Sequence, residues 1–302
     1  MLETIKGLLS GAVDIHLHAT PDIYERSQNI LEIARDAACV GMKAIVYKTH
    51  DFITAGFGNI VSNIVPNIQV FGGCALNYAS GGFNAQTVEV TAKLGGKTVW
   101  MPTMDSEWFY QQMAERASKE PTVYSRFLKS NGAAKAGLCI FEAGINDPEY
   151  RIKPEVIDVL EAISKNNLIL ETGHLSPRET LVLIDEARSR GVKKVLCTHV
   201  NNPNFGLTSE QQVVAVKKGA CLMFSFTPFM ATRGAQHPKQ VLEMMRRIGV
   251  NNCVIATDFG SVDLPKPVEG MRLFIANLLQ AGAKENEIDN LVKVTPCKLL
   301  GI

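Results

Sequence analysis

The sequence predicts an α/β protein, a (β/α)8 TIM barrel, on three observations. Eight short apolar runs are spread over 302 residues, with amphipathic segments between them. A glycine recurs at five of the joints where a helix gives way to the next strand. No glycine-rich phosphate loop follows the first strand, which argues against the alternative architecture, a doubly wound open sheet. Eight strand–helix units in about 300 residues match the size of one barrel. A single barrel domain spanning residues 1–302 is therefore expected.

Strands are expected near 13–18, 43–49, 69–75, 97–102, 168–173, 194–199, 221–226 and 253–258. They are almost wholly apolar, as parallel strands covered on both faces must be. Helices are expected near 28–40, 53–65, 84–94, 154–166, 177–190, 208–218 and 238–248, and two more near 268–281 and 285–299. The joints read ARDAACVG-MKAIVY, TAKLGG-KTVWM, EARSRG-VKKVLC, AVKKG-ACLMFSF and MRRIG-VNNCVIA. Glycine just past a helix end supplies the left-handed conformation that terminates it at little cost. Ser176, Pro177 and Glu179 form a capping box with proline at the first helical position, so a helix starts directly after His174. The stretch between strands four and five, about 103–153, is an insertion with a helix near 106–118. It also carries a small hairpin, LCIF and YRIK around AGIND, and is placed to cover the barrel mouth.

Apolar residues make up 46% of the chain and charged ones 20%, so a sizeable core is expected. A net charge of +1 gives no electrostatic reason for a nucleic acid or an anionic membrane as partner. Seven cysteines, never in CxxC, read as buried small hydrophobes of a reducing compartment. There is no signal-peptide pattern and no apolar run of about 18 residues or more, so a cytoplasmic protein is expected, with a homo-oligomer as its assembly.

Of six histidines, five fall at the C-terminal ends of predicted strands, where barrel active sites lie. His16 and His18 end strand one in VDIHLH. Alternate residues of a strand share a face, so both imidazoles can aim at one divalent ion. His50 follows strand two, His174 strand five and His199 strand six, while Asp258 ends strand eight. His237 lies elsewhere, in a loop before a helix. Strand ends from opposite sides of a barrel meet over one cavity, so these residues can converge.

As a set, DIHLH, the single histidines after strands five and six, and ATD at strand eight resemble the amidohydrolase superfamily of metal-dependent hydrolases. The tail TPCKLLGI is similar to the NPAKLLGL-like ending of many members, and the resemblance runs the length of the chain. It implies one or two divalent ions at the strand C-termini, with His16, His18, His174, His199 and Asp258 as ligand and catalytic positions. Two-metal members carry a carboxylated lysine or a glutamate at strand four; here that strand reads KTVWMPTMD. Asp105 or Lys48, two residues before His50 on strand two, would have to bridge instead. Otherwise the site holds one ion, which is the reading favoured.

Imidazoles and a carboxylate suit zinc first, then manganese, iron or cobalt. Asp258 is expected to take a proton from water and pass it to a leaving group, with His199 or His174 polarising a carbonyl. Asp14, taken to share the parity of the HxH pair, is expected to orient a ligand histidine or to bond backbone amides. Lys48, His50, Arg26, Asn201, Asn202, Thr227 and Arg233 are candidate contacts for a small polar or anionic substrate. Met101, Met104, Trp108, Phe109 and Tyr110 would wall the mouth or pack inside the insertion. Hydrolysis of an amide or cyclic amide is the leading expectation. Decarboxylation at the same metal site, phosphoester hydrolysis and a non-catalytic metal-binding barrel are the alternatives.

Overall fold

The computed structural model describes residues 1–119, 136–231 and 233–302. The chain opens with a helix that the sequence pattern had not suggested, α1 (Leu2–Leu9), which buries Ile5, Leu8 and Leu9. Then follow β1 (Val13–His18), α2 (Ile30–Cys39), β2 (Ala44–Lys48), α3 (Ala55–Ile64), β3 (Gln69–Ala75), α4 (Ala85–Lys93) and β4 (Thr98–Trp100). After α5 (Glu107–Lys119), the second half runs α6 (Pro154–Lys165), β5 (Ile169–Glu171), α7 (Pro177–Ser189), β6 (Lys194–Cys197), α8 (Ser209–Lys217), β7 (Cys221–Ser225), α9 (Pro238–Ile248) and β8 (Cys253–Ala256). The chain ends with α10 (Pro267–Gln280), α11 (Glu285–Asp289), a π-helical turn over Asn290–Val294 and α12 (Thr295–Leu300).

The eight strands are parallel and pair in sequence order, β1 to β8, which is barrel topology rather than that of a doubly wound sheet. The ends of the sheet meet at the mouth. Asp258 N donates to His16 O at 3.0 Å, and His18 N donates to Phe259 O at 2.8 Å. Gly260 makes this approach possible: a Cβ there would stand 2.1 Å from His18 O, and its φ is +139°. β1 and β3 have the expected bounds, and the other six strands are shorter than the apolar runs because closing residues such as Thr172 and Thr198 already turn into the mouth loops.

Two apolar layers follow from strand alternation. Val13, Ile15, Ala44, Val46, Trp100, Ile169, Leu196 and Met223 fill the barrel interior, and Leu299 and Leu300 of α12 join that cluster. Leu17, Ile45, Tyr47, Val99, Leu170 and Val195 pack outward beneath the helices.

β1 breaks its own alternation. Asp14 pairs with Ile45, but Leu17 pairs with Tyr47, so three steps along β1 match two along β2. One extra residue is a β-bulge, which bends the strand and shifts the parity of everything after it. Val13 and Ile15 point into the barrel below the bulge, while Leu17 points out above it. His16 and His18 therefore join the inward set at the mouth, and Asp14 does not share their parity. That corrects the expectation for Asp14. Its carboxylate accepts from Thr257 N, Thr257 Oγ1 and His16 N, tying β1 to β8 through the backbone rather than through an imidazole ring.

The helix joints and caps fold as the sequence suggests. Gly191 takes φ +79° at the end of α7. Ser176 accepts from Glu179 N, and Glu179 reaches back to Ser176 N, completing the capping box. The insertion contains α5, but the expected hairpin reduces to one antiparallel bridge, Phe141 to Ile152, flanked by two backbone hydrogen bonds. All seven cysteines are free, though Cys39 is exposed and Cys221 and Cys297 are half-buried rather than core. Among the described residues, no helix is long and apolar enough to cross a membrane.

Replacing Gly260 by alanine should lower stability by roughly 1–3 kcal/mol, because the new Cβ forces the β1–β8 contact apart and a strained φ is retained. Chemical denaturation of Gly260→Ala against the parent measures this.

Candidate metal centre

The bulge delivers His16 and His18 to the mouth from β1. β6 and β8 deliver their residues by another device. His199, two residues beyond β6, has φ +51°, and Asp258, two beyond β8, has φ +56°. Left-handed backbone is uncommon outside glycine, although histidine and aspartate tolerate it better than most. The turn folds both side chains back over the barrel axis.

There Asp258 Oδ1 lies 3.4 Å from His18 Nε2 and 3.6 Å from His16 Nε2. Asp258 Oδ2 lies 3.9 Å from His199 Nδ1 and accepts from Thr227 Oγ1 at 3.1 Å. Ligand atoms of His16, His18 and Asp258 all fall within 4.8 Å of one another. Separations of 3.4 and 3.6 Å are long for hydrogen bonds. They suit two ligands of a tetrahedral ion: at about 2.1 Å from it, ligand atoms stand about 3.4 Å apart.

The buried ring nitrogens support that fit. Both nitrogens of His16, Nδ1 of His174 and Nδ1 of His199 are buried without a hydrogen-bond partner. Burial holds His16, His18, His50 and His174 well below the ordinary histidine pKa. Burial also lowers His199, against the pull of Asp258. A neutral imidazole keeps the lone pair that a metal needs. Burial works to raise Asp258, but His199, His16 and Lys48 outweigh it and hold the carboxyl below its usual value, ionised at neutral pH.

The other expected residues divide into two groups. Lys48, His50, Arg26, Arg233 and His174 line one cavity with His18, His199 and Asp258. Lys48 is fully buried, and its ammonium lies 5.6 Å from the Trp100 ring centroid. His50 stacks on His18 at 5.0 Å, and its Nδ1 meets Thr103 Oγ1 at 2.8 Å. Arg26 bonds Asp22 through Nε at 2.8 Å and faces His18 Nδ1 through a terminal nitrogen at 3.2 Å. Arg233 reaches Asp263 at 2.5 Å. His174 stands back from the compact group, its ring stacked on Phe205 at 4.5 Å.

Asp105 and Asn201 are not brought to the ion-sized gap. Asp105 accepts from Tyr78 N, in the loop after β3, at 2.8 Å and from the Tyr110 hydroxyl of α5 at 2.6 Å, so both its oxygens are engaged away from the gap. Asn201 is turned to β7, where it donates to Ser225 O and accepts from Ser225 N. Met104 and Phe109 wall the cavity, whereas Met101 packs in the core. His237 caps α9, accepting from Lys239 N.

One residue escaped the sequence reading. Glu171, at the end of β5, is fully buried, with Oε2 3.6 Å from His16 Nδ1. Thr98 and Thr198 donate to its two oxygens at 3.1 Å each. Burial pushes its pKa up, opposed by Lys48, while burial pushes Lys48 down, opposed by Asp258 and Glu171. The signal was present: a glutamate closing an otherwise apolar strand, three residues before His174.

The cavity encloses about 210 Å³. A larger groove, about 570 Å³, opens between the start of α8 and α9. Among the described residues its polar lining is amides and hydroxyls with Glu210 as the only acid, so the chemistry gathers in the smaller space.

Residues 11–223 match a family model described as a family of unknown function, DUF6282. No curated protein matches the chain. Three solved structures share its fold across nearly all of both chains. An amidohydrolase from Pseudomonas aeruginosa is 12% identical, with a TM-score of 0.61 over 99% of this chain and 97% of that one. A lactonase from Listeria monocytogenes is 13% identical, with a TM-score of 0.58 over 97% and 95%. An organophosphorus hydrolase from Deinococcus radiodurans is 14% identical, with a TM-score of 0.55 over 96% and 92%.

Elemental analysis of the purified chain should find about one divalent ion per molecule, lost in a His16→Ala/His18→Ala double variant. Glu171→Ala should weaken metal affinity by about 10–100-fold while the ligands stay in place. Competition with a chromogenic chelator reads both.

Proposed function

The chain belongs to the DUF6282 family, and for this member we propose a metal-dependent hydrolase, acting on a small polar or anionic substrate through water attack on an amide or cyclic amide. The observation that carries the proposal is the convergence of His16, His18 and Asp258 on one ion-sized gap at the barrel mouth. His199 stands beside that gap. The solved structures with the same fold include an amidohydrolase, a lactonase and an organophosphorus hydrolase, all named for hydrolysis.

His16, His18 and Asp258 would hold the ion, with His199 and His174 as its next candidates. Two imidazoles and a carboxylate favour zinc over harder ions such as magnesium, with manganese, iron or cobalt as the other candidates. When bound, such an ion supplies Lewis acidity toward water and toward the bond to be broken.

The chain's own residues supply the proton transfers. Asp258 has the geometry of a general base. Oδ2 is pinned by Thr227, Oδ1 faces two imidazoles, and the side chain is still 19% exposed to the cavity. Held ionised, it can take the proton of the attacking water and return it to the leaving nitrogen. His199, buried and neutral, is positioned to polarise the substrate oxygen from the β6 side. Phe205, Phe109 and Met104 limit the access of bulk water to the gap.

A second reading, decarboxylation at the same site, draws on strand four. β4 puts Trp100 into the barrel interior, and Asp105 is held by Tyr78 and Tyr110. With no β4 carboxylate near the gap among the described residues, one ion is favoured over a bridged pair. A single ion serves either chemistry.

Asp258→Asn should keep much of the bound metal yet lose about 10²–10⁴-fold in turnover. A panel of amides, cyclic amides, lactones, carboxylates and phosphoesters, assayed with metal content measured in parallel, tests this. Full activity in that variant would remove Asp258 from proton transfer, and turnover confined to carboxylates with release of CO2 would replace hydrolysis by decarboxylation.

A further inference from the structure

The cavity lining is polarised. On the β1–β2 side lie Lys48 and Arg26, and Arg233 stands at the rim; among the described residues Asp258 is the only carboxylate in the lining. Another part of the lining is largely apolar, with Asn202 and Asn204 beside it. Met104, Phe109 and Met113 come from the insertion and Phe205 from the loop after β6. The His174 ring is held between Phe109 at 5.2 Å and Phe205 at 4.5 Å.

We propose that this cavity takes a small carboxylate with an apolar or aromatic body, its carboxylate on the Lys48–Arg26 side and its body against Phe109 and Phe205. The proposal rests on the metal-dependent reading of the same site and adds the substrate class and its orientation.

Lys48 carries the argument furthest. Its side chain is fully buried, it lines the cavity, and its ammonium has no hydrogen-bond partner. Asp258 and Glu171 attract it without supplying a hydrogen bond. Leaving a buried charge unpaired is costly, and an anion seated in the cavity would supply the missing acceptor. Arg26 points the same way. Its guanidinium only donates, yet it faces His18 Nδ1. A His18 that lends its Nε2 lone pair to an ion carries its proton on Nδ1, and two donors cannot share that contact. The Nε of Arg26 is already held by Asp22, so its terminal nitrogen is the part left for a ligand anion. The planar fork of arginine suits a carboxylate.

Size and the apolar part of the lining select the rest of the molecule. A space of about 210 Å³ lies below the ~300–1,000 Å³ usual for ligand pockets, which leaves room for one anionic group and a ring-sized body. Phe109 and Phe205 offer faces for that body.

Calorimetry on the zinc-loaded protein tests this with four probes: benzoate, its neutral isostere benzamide, formate and inorganic phosphate. Benzoate should bind about tenfold or more tightly than benzamide. Lys48→Met should remove most of that preference with zinc content unchanged. Phe205→Ala should weaken benzoate and leave formate unaffected, an arm that does not depend on Lys48→Met folding. Equal binding of benzoate and benzamide would overturn the proposal, as would full benzoate affinity in a zinc-loaded Lys48→Met, which would mean direct capture by the metal. Tighter binding of phosphate than benzoate would replace carboxylate by phosphate. Each outcome is read from binding alone. A protein that binds benzoate but turns over nothing would refute hydrolysis and leave the substrate class standing.

Discussion

One extra residue in β1 sets the functional end of this barrel. Without the bulge between Asp14 and Leu17, strict alternation would continue the inward set Val13, Ile15 through Leu17, and both histidines would face the surrounding helices. With it, the lower half of the strand fills the barrel with aliphatic side chains while the upper half presents His16 and His18. Asp14, displaced to the other face, holds Thr257 and so fixes the end of β8. The same seam carries Asp258 N to His16 O and His18 N to Phe259 O. Closing the barrel and bringing the candidate metal ligands together are therefore one event.

The charge balance at the mouth follows from that seam. Five buried imidazoles stand near Asp258, with Lys48 and Glu171 buried among them. Desolvation drives every imidazole toward the neutral form and opposes ionisation of the carboxyls. Among the carboxyls beside the imidazoles Asp258 is pulled the other way, by His199, His16, Lys48 and the Thr227 hydrogen bond. The group so formed, neutral nitrogens around one carboxylate, suits a cation. The ammonium beyond it suits an anion, and the two preferences occupy different parts of one cavity.

Two of the six described non-glycine residues with left-handed backbone lie at the same place. His199 and Asp258 both sit in left-handed backbone, a conformation costing roughly 1–3 kcal/mol for a residue other than glycine. The turn at Asp258 also carries the N–H that bonds His16 O across the seam. Both turns are needed to bring a side chain from the strand end back over the axis. The surrounding layers supply the compensation: β6 and β8 are buried on both faces apart from Lys194, the first residue of β6.

The sequence by itself determined the architecture and most of the site. Strand–helix alternation, glycine joints and the Ser176 capping box act over a few residues, so they are legible one segment at a time. The histidines and Asp258 were legible because a barrel turns a strand-end position into a place over the mouth. Tertiary structure alone decided the rest. The bulge in β1 depends on pairing with β2, and it reversed the parity assigned to Asp14. Asp105 was drawn away by Tyr78, distant in sequence, with help from the nearby Tyr110, and Asn201 by Ser225 on another strand. Glu171 gained its meaning only when β5 set it beside His16, between Thr98 and Thr198. A local pattern fixes which face a residue can occupy, but which polar neighbour claims it depends on contacts that exist only once the barrel has closed.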